Sequence, residues 1–282
     1  MNNIIAAIDF SDCSINALEH AITIADKGGY KIIMVWVNNP TTTKILLSSD
    51  RSDELKNEVD AQFKHLIEKY SPRLFPHHLE YVIREGKVYQ QVVQQAKESD
   101  AVMIIAGTHG ASGFVEYWAG SNANKIITMA QCPVITIRGG VSVSRDLKKI
   151  VLPVDSTPET RQKAAFTATI AKLFNAEVLV LALLKSDVRN IQLQIESYAM
   201  QVVEFMKDQQ IKSSFDSRPT NNNAMTTLEY ALEKKANLIS IMTEQETSPS
   251  NLWLGPYAQQ IVNSSPIPVL SIHPITLNLS MG

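Results

Sequence analysis

Four glycines stand close together before residue 121: Gly107, Gly110, Gly113 and Gly120, with Ser121 and Asn122 directly after the last. Residues of this kind can hold a phosphate without doing chemistry on it. Glycine lets a backbone approach a ligand closely, and the unsatisfied N–H groups of a helix start point at an anion. The loop carries no Lys or Arg, so main-chain amides and a divalent cation would have to supply the counter-charge. Glu116 within it opposes an anion unless it faces away. No Gly-x-x-x-x-Gly-Lys-Ser/Thr and no Gly-x-Gly-x-x-Gly after a strand occurs, which excludes two other phosphate motifs. His109 lies inside the loop and reads as a solvated side chain, with general-base chemistry as the alternative. His77 and His78 lack further ligands at metal spacing.

The segments around the loop explain how it would be positioned. Ala101-Val-Met-Ile-Ile-Ala106 is short, unbroken and rich in Ile, as a strand buried on both faces must be. Val134 to Ile137 reads the same way. Between them Ala123, Ile126, Ile127 and Ala130 recur at helical spacing, with Ser121 or Asn122 as the N-cap. The layout is strand, glycine loop, helix, strand. A loop at the carboxyl end of a parallel strand is where open α/β sheets bind ligands.

The spacing of Gly107, Gly110 and Gly120-Ser121, followed by Cys132-Pro133-Val134, resembles the nucleotide motif of the universal stress protein family in its ATP-binding branch. The resemblance implies that Gly107 and Gly110 lie beside ribose and phosphates and that Gly120-Ser121 caps the helix holding the phosphates. It implies that Asp9 contacts the adenosine end and that the backbone at Val37 reads adenine. Ser11 could reach a phosphate, and Ala106 and Asn122 complete the expected set. By itself Asp9 would read as a turn residue before a helix, and Val37 reads nearly as well as core. The implied cofactor is ATP, or ADP or AMP, with Mg or Mn. No residue of this chain is assigned as a metal ligand or a catalytic group.

The first half continues the alternation. Ile4 to Ile8 is a buried strand ending at Asp9, and Asp12 or Ser11 caps a helix that Gly28-Gly29 stops. Lys31 to Val37 is a second strand. A polar stretch follows from Asn38 to about Ser52, then a helix from Asp53 to Tyr70. Leu79 to Arg84 is a third strand, and Gly86 turns it into a helix carrying Val88, Val92, Val93 and Ala96. Such β-α alternation argues for a doubly wound parallel sheet with right-handed crossovers.

The second half repeats the first. Lys149-Ile-Val-Leu-Pro-Val-Asp155 echoes Ile4 to Asp9, and Ile267 to Ile272 echoes Cys132 to Ile137. Gly139 to Ser144 is a linker by composition. The second copy is shorter, with the loss expected in the polar stretch after Asn38. Helices are expected over Glu159–Phe174, Val188–Lys207 and Met225–Leu232, and strands over Glu177–Leu183, Ile211–Phe215 and Leu238–Met242. Asp155 survives in this copy, but the segment from Thr243 to Leu254 has no glycine, Pro256 removes an N–H, and Glu244 and Glu246 add negative charge. This copy is expected to keep the fold without binding ATP in the manner of the family.

The expected architecture is α/β: two tandem, doubly wound, five-stranded parallel-sheet domains of the Rossmann-like, adenine nucleotide alpha hydrolase type. They span 1–140, with an intact nucleotide motif, and 147–276, with a degenerate one. The apolar edge strands Val134–Ile137 and Val269–Ile272 are expected to pair as an intrachain pseudo-dimer, with a homodimer of chains beyond it.

Bulk composition narrows the function. The 282 residues are 45% hydrophobic and 19% charged, with a formal net charge of -2, which offers no surface for nucleic acid or an anionic membrane. Cys13 and Cys132 cannot build a disulfide framework, and the start of the chain lacks the basic region of a signal peptide, so a cytoplasmic protein is expected. No apolar run is long enough to span a membrane. Three functions fit these residues. The first is a nucleotide-binding stress-response protein. The second is a slow ATPase, disfavoured because no general base, carboxylate pair or arginine finger shows in the loop. The third is an interaction scaffold or carrier of a non-nucleotide ligand.

Overall fold

The computed structural model describes residues 2–39, 50–108, 121–138, 145–243 and 254–274, the side chains of 50–53 and 121 excepted. The chain forms two compact units, Met1–Gly140 and Val141–Gly282.

In the first unit, β1 (Asn3–Ala7), β2 (Lys31–Asn38), β3 (Leu79–Glu85), β4 (Ala101–Gly107) and β5 (Val134–Ile137) alternate with helices α1 (Asp12–Gly28), α2 (Asp50–Tyr70), α3 (Val88–Glu98) and α4 (Ser121–Met129). The strands lie in the order β3-β2-β1-β4-β5, all parallel. Ile4, Ile5, Ile32, Met34, Met103 and Ile104 are wholly buried, as strands covered on both faces require. Between β1 and β4 the winding direction of the chain reverses. The crevice outside the carboxyl ends of these two strands is the ligand position of open α/β sheets.

The helix ends follow the residues. The Ser11 side chain accepts a hydrogen bond from the Ser14 N–H and so caps α1, while Gly29, at φ 64°, takes the left-handed turn that ends it. Ser121 is already helical, so the expected cap role does not fall on Ser121 or Asn122.

The second unit repeats this plan with β6 (Lys149–Val154), β7 (Glu177–Leu184), β8 (Ser213–Pro219), β9 (Leu238–Met242) and β10 (Val269–Ile272), and α5 (Lys163–Phe174), α6 (Arg189–Asp208), α7 (Asn223–Glu233) and α8 (Pro256–Ser264). Its order, β10-β9-β6-β7-β8, puts the reversal between β6 and β9.

Three expectations shift. The helix expected from Glu159 begins at Lys163, because Pro158–Arg161 forms a separate 3-10 turn. There the Lys163 ammonium donates to the Thr160 carbonyl at 2.7 Å and to the Thr160 hydroxyl at 3.1 Å. The strand expected at Ile211 begins at Ser213, since Gln210 turns left-handed at φ 57° and the Ile211 N–H closes back on the Met206 carbonyl. The missing residues of the second copy come from two places rather than one. The connection from Asn38 to Asp50 shortens to that from Leu184 to Arg189, and the 3-10 turn Ser71–Arg73 between α2 and β3 has no counterpart between α6 and β8.

Candidate functional site

At the reversal point of the first unit the strand ends, α3 and α4 enclose a cleft with about 130 Å³ of room for water. Five of the residues singled out from the sequence line it: Asp9, Val37, Ala106, Gly107 and Asn122. They come from the turn after β1, from β2, from β4 and from α4. Gly110 and Gly120 lie outside the described residues, and of Ser121 only its place at the start of α4 is described.

Ser11 stands one step back. Its hydroxyl donates to the Asp9 carboxylate at 2.5 Å, and its N–H donates to the same oxygen at 3.1 Å. Its own oxygen accepts from the Ser14 N–H at 3.2 Å, while the Ser14 hydroxyl donates to the Ser11 carbonyl at 3.0 Å and accepts from the Asp9 N–H at 3.3 Å. This closed ring fixes the carboxylate, so Ser11 positions Asp9 rather than reaching outward. Phe10, between them, holds φ at 62°, a conformation costly for a residue with a Cβ. Packing holds it: the Phe10 ring meets the buried Phe63 ring edge-on at 5.0 Å.

The structure gives Gly107 a second reason to be glycine. A Cβ there would come within 2.7 Å of the Cys13 sulfur and 3.1 Å of the Cys13 carbonyl carbon. The first turn of α1 therefore lies directly on β4, with the Cys13 thiol donating to the Ile137 carbonyl at 3.3 Å. Gly107→Ala is expected to force the two apart and cost about 1–3 kcal/mol, seen as a lower denaturant midpoint. An unchanged midpoint contradicts the contact.

The apolar half of the cleft was not singled out from the sequence. Val88 and Val92 of α3, Trp36 of β2 and Ile126 of α4 line it beside the strand ends. The signal available was only that Val88 and Val92 share a helix face, which read as core. The result is a slot whose lining is mostly apolar and also carries Asp9, Thr108 and Asn122. That suits a flat ring joined to a polar sugar. Among the described residues no cluster of three His, Cys, Asp or Glu side chains could hold a metal ion.

The second unit keeps the turn and changes the slot. The Asp155 carboxylate accepts from the Thr157 hydroxyl at 2.6 Å and the Thr157 N–H at 2.9 Å, and the Asp155 N–H donates to Thr160 at 3.3 Å. These reproduce the contacts of Asp9, Ser11 and Ser14. Where β4 ends in Gly107 opposite Ile137, β9 ends in Met242 opposite Ile272.

A family model described as "Universal stress protein family" matches residues 1–138 and 146–273. The "Universal stress protein YxiE" of Bacillus subtilis is 26% identical over 146 residues, covering 49% of this chain and 99% of that protein. A universal stress protein of Methanocaldococcus jannaschii is 30% identical over 142 residues, covering 48% of this chain and 81% of its own length. Among solved structures, a universal stress protein of Archaeoglobus fulgidus superposes with a TM-score of 0.76 at 16% identity, over 97% of this chain and 99% of that one. At that identity the likeness speaks to the fold. Among the described residues no helix is long and apolar enough to cross a membrane.

Proposed function

Because the chain belongs to the universal stress protein family, we propose that it is a nucleotide-binding stress-response protein whose first unit takes an adenine nucleotide, ATP foremost and ADP or AMP as its shorter forms. The observation that supports this reading is the meeting of Asp9, Val37, Ala106, Gly107 and Asn122 around one cleft at the β1–β4 reversal. They come from four separate parts of the chain: the turn after β1, β2, β4 and α4.

In this reading the base enters the apolar half, against Val88 and Val92 and along the backbone at Val37. The Asp9 carboxylate, held by Ser11, accepts a hydrogen bond from a ribose hydroxyl. The main-chain amides from Gly107 through Gly110, and those of Gly120, Ser121 and Asn122, receive the phosphates. Mg or Mn, bound to the phosphates, neutralises what those amides do not. The second unit takes no ATP in this manner.

Nucleotide retained by the purified protein, identified by mass spectrometry, tests the reading. Asp9→Asn is expected to weaken ATP binding at least about tenfold in calorimetry, since a hydrogen bond to a charged acceptor is worth about 1.5–3 kcal/mol. Unaltered affinity removes Asp9 from the site. A Gly110/Gly120 double variant that loses binding, from a protein with no turnover to lose, sinks the slow-ATPase alternative.

A further inference from the structure

The two units align residue for residue around their reversal points. Ile104 pairs with Val134 and Ile239 with Val269; the Thr108 N–H bonds the Ile137 carbonyl and the Thr243 N–H that of Ile272, each at 2.9 Å. With α3 starting at Val88 and α7 at Asn223, Val92 corresponds to Thr227; with α4 and α8 in the same register, Asn122 corresponds to Tyr257. Val92 and Asn122 both line the cleft of the first unit. In the second unit their counterparts touch. The Tyr257 hydroxyl lies 3.4 Å from the Thr227 hydroxyl oxygen. Thr227 is fully buried and donates its own proton to the Asn223 carbonyl at 2.7 Å, so the phenol is the donor. Asn223 in turn corresponds to Val88, another residue of the first unit's slot.

We propose that the slot of the second unit is filled from within: the phenol of Tyr257, with Met242 at the strand end, takes up the space that stands open in the first unit, and this unit admits a planar aromatic base only when those two side chains are trimmed. A tyrosine ring has the size and flatness of such a base, and its hydroxyl lies in reach of Thr227, which replaces Val92 on the wall. The loss of glycines in the following loop removes a place for phosphate. The ring removes a place for the base, which is a separate property with a separate consequence. A phosphate-free nucleoside should be refused as well.

The test is a calorimetric titration of the full chain with adenosine, which needs no phosphate loop. In Tyr257→Asn combined with Met242→Gly, each residue becomes its first-unit counterpart, and one adenosine site per chain more than in the wild type is expected. Tyr257→Phe keeps the ring and should gain none. If wild-type protein binds no adenosine, the nucleotide reading of the first unit is in difficulty, yet a site appearing only in the double variant still supports the plug. If the double variant does not unfold cooperatively, Tyr257→Ser combined with the milder Met242→Ala is titrated with the same expectation. A cooperatively folded variant that gains no site up to millimolar adenosine overturns the proposal.

Discussion

Lys163→Met is expected to raise the stability of the protein at pH 7 and to remove a pH dependence that the wild type shows. Lys163 is 2% exposed and occupies the place that buried Ala17 holds in the first unit. Burial is the main force on its ammonium and pushes its pKa down from 10.5 to about 8, with Asp155 pulling the other way. Two hydrogen bonds to Thr160 replace only part of the lost water. The charged form is thus disfavoured by folding. Below about pH 8 the amine is protonated both folded and unfolded, and the penalty is fully felt. Between about 8 and 10.5 the unfolded chain keeps its proton while the folded chain releases it, so stability rises with pH. Each tenfold change in proton affinity is worth about 1.4 kcal/mol, so the whole effect is roughly 3 kcal/mol. Methionine fills a similar volume with no charge to desolvate, although it leaves the Thr160 carbonyl short of a donor, at about 1 kcal/mol. Denaturant midpoints at pH 7.0 and 9.5 check this: wild type should gain more between the two than Lys163→Met. Tyr230, whose pKa is pushed up to about 12 mainly by burial, acts in the opposite sense above pH 10, so the comparison belongs below that point. Parallel midpoints for the two proteins would show the ammonium to be adequately solvated.

Phe63→Ala should cost about 3–5 kcal/mol, the range for deleting a buried aromatic side chain. The Phe63 ring is wholly buried, stacked on Tyr81 at 4.5 Å and met edge-on by Phe10. Tyr81 is anchored in turn by a hydrogen bond from its hydroxyl to Asp60 at 3.0 Å. The consequence extends beyond stability. Phe10 is held at positive φ between Asp9 and Ser11, and without Phe63 the packing that helps to hold that backbone away from an ordinary conformation is lost. The ring of hydrogen bonds that fixes the Asp9 carboxylate should loosen with it. Nucleotide affinity is therefore expected to fall together with the denaturant midpoint, whereas Phe63→Leu, which keeps most of the packing, should lose less of both. Loss of stability with affinity intact would separate the aromatic cluster from the site. Ser156 stands where Phe10 does, without the left-handed turn, so the second unit carries no comparable dependence.

The parts of this protein that were legible in its sequence are those encoded within a few residues. The buried strands are unbroken apolar runs, the helices carry periodic faces, and the repeat shows in the echo of Asp9 by Asp155. The turn around Asp9 is equally local, since hydrogen bonds tie it to Ser11 and Ser14. Helix starts were less legible: Pro158 and the reach of Lys163 back to Thr160 divided one expected helix into a 3-10 turn and a later start.

Tertiary structure alone decided what lies between distant segments. Val88 lines a cleft, and Val92, buried as its helix face suggests, lines it too, because the β1–β4 reversal leaves the strand ends uncovered there. Gly107 must be glycine for α1 to lie on β4, a constraint invisible without the position of Cys13. The burial of Lys163 contradicts what its type suggests, and the meeting of Tyr257 with Thr227 joins residues 30 apart. Sequence periodicity fixes which face of an element is apolar. Whether that face meets a neighbour, a ligand or another side chain depends on the ends of strands brought together by pairing, and that geometry is set only when the sheet closes.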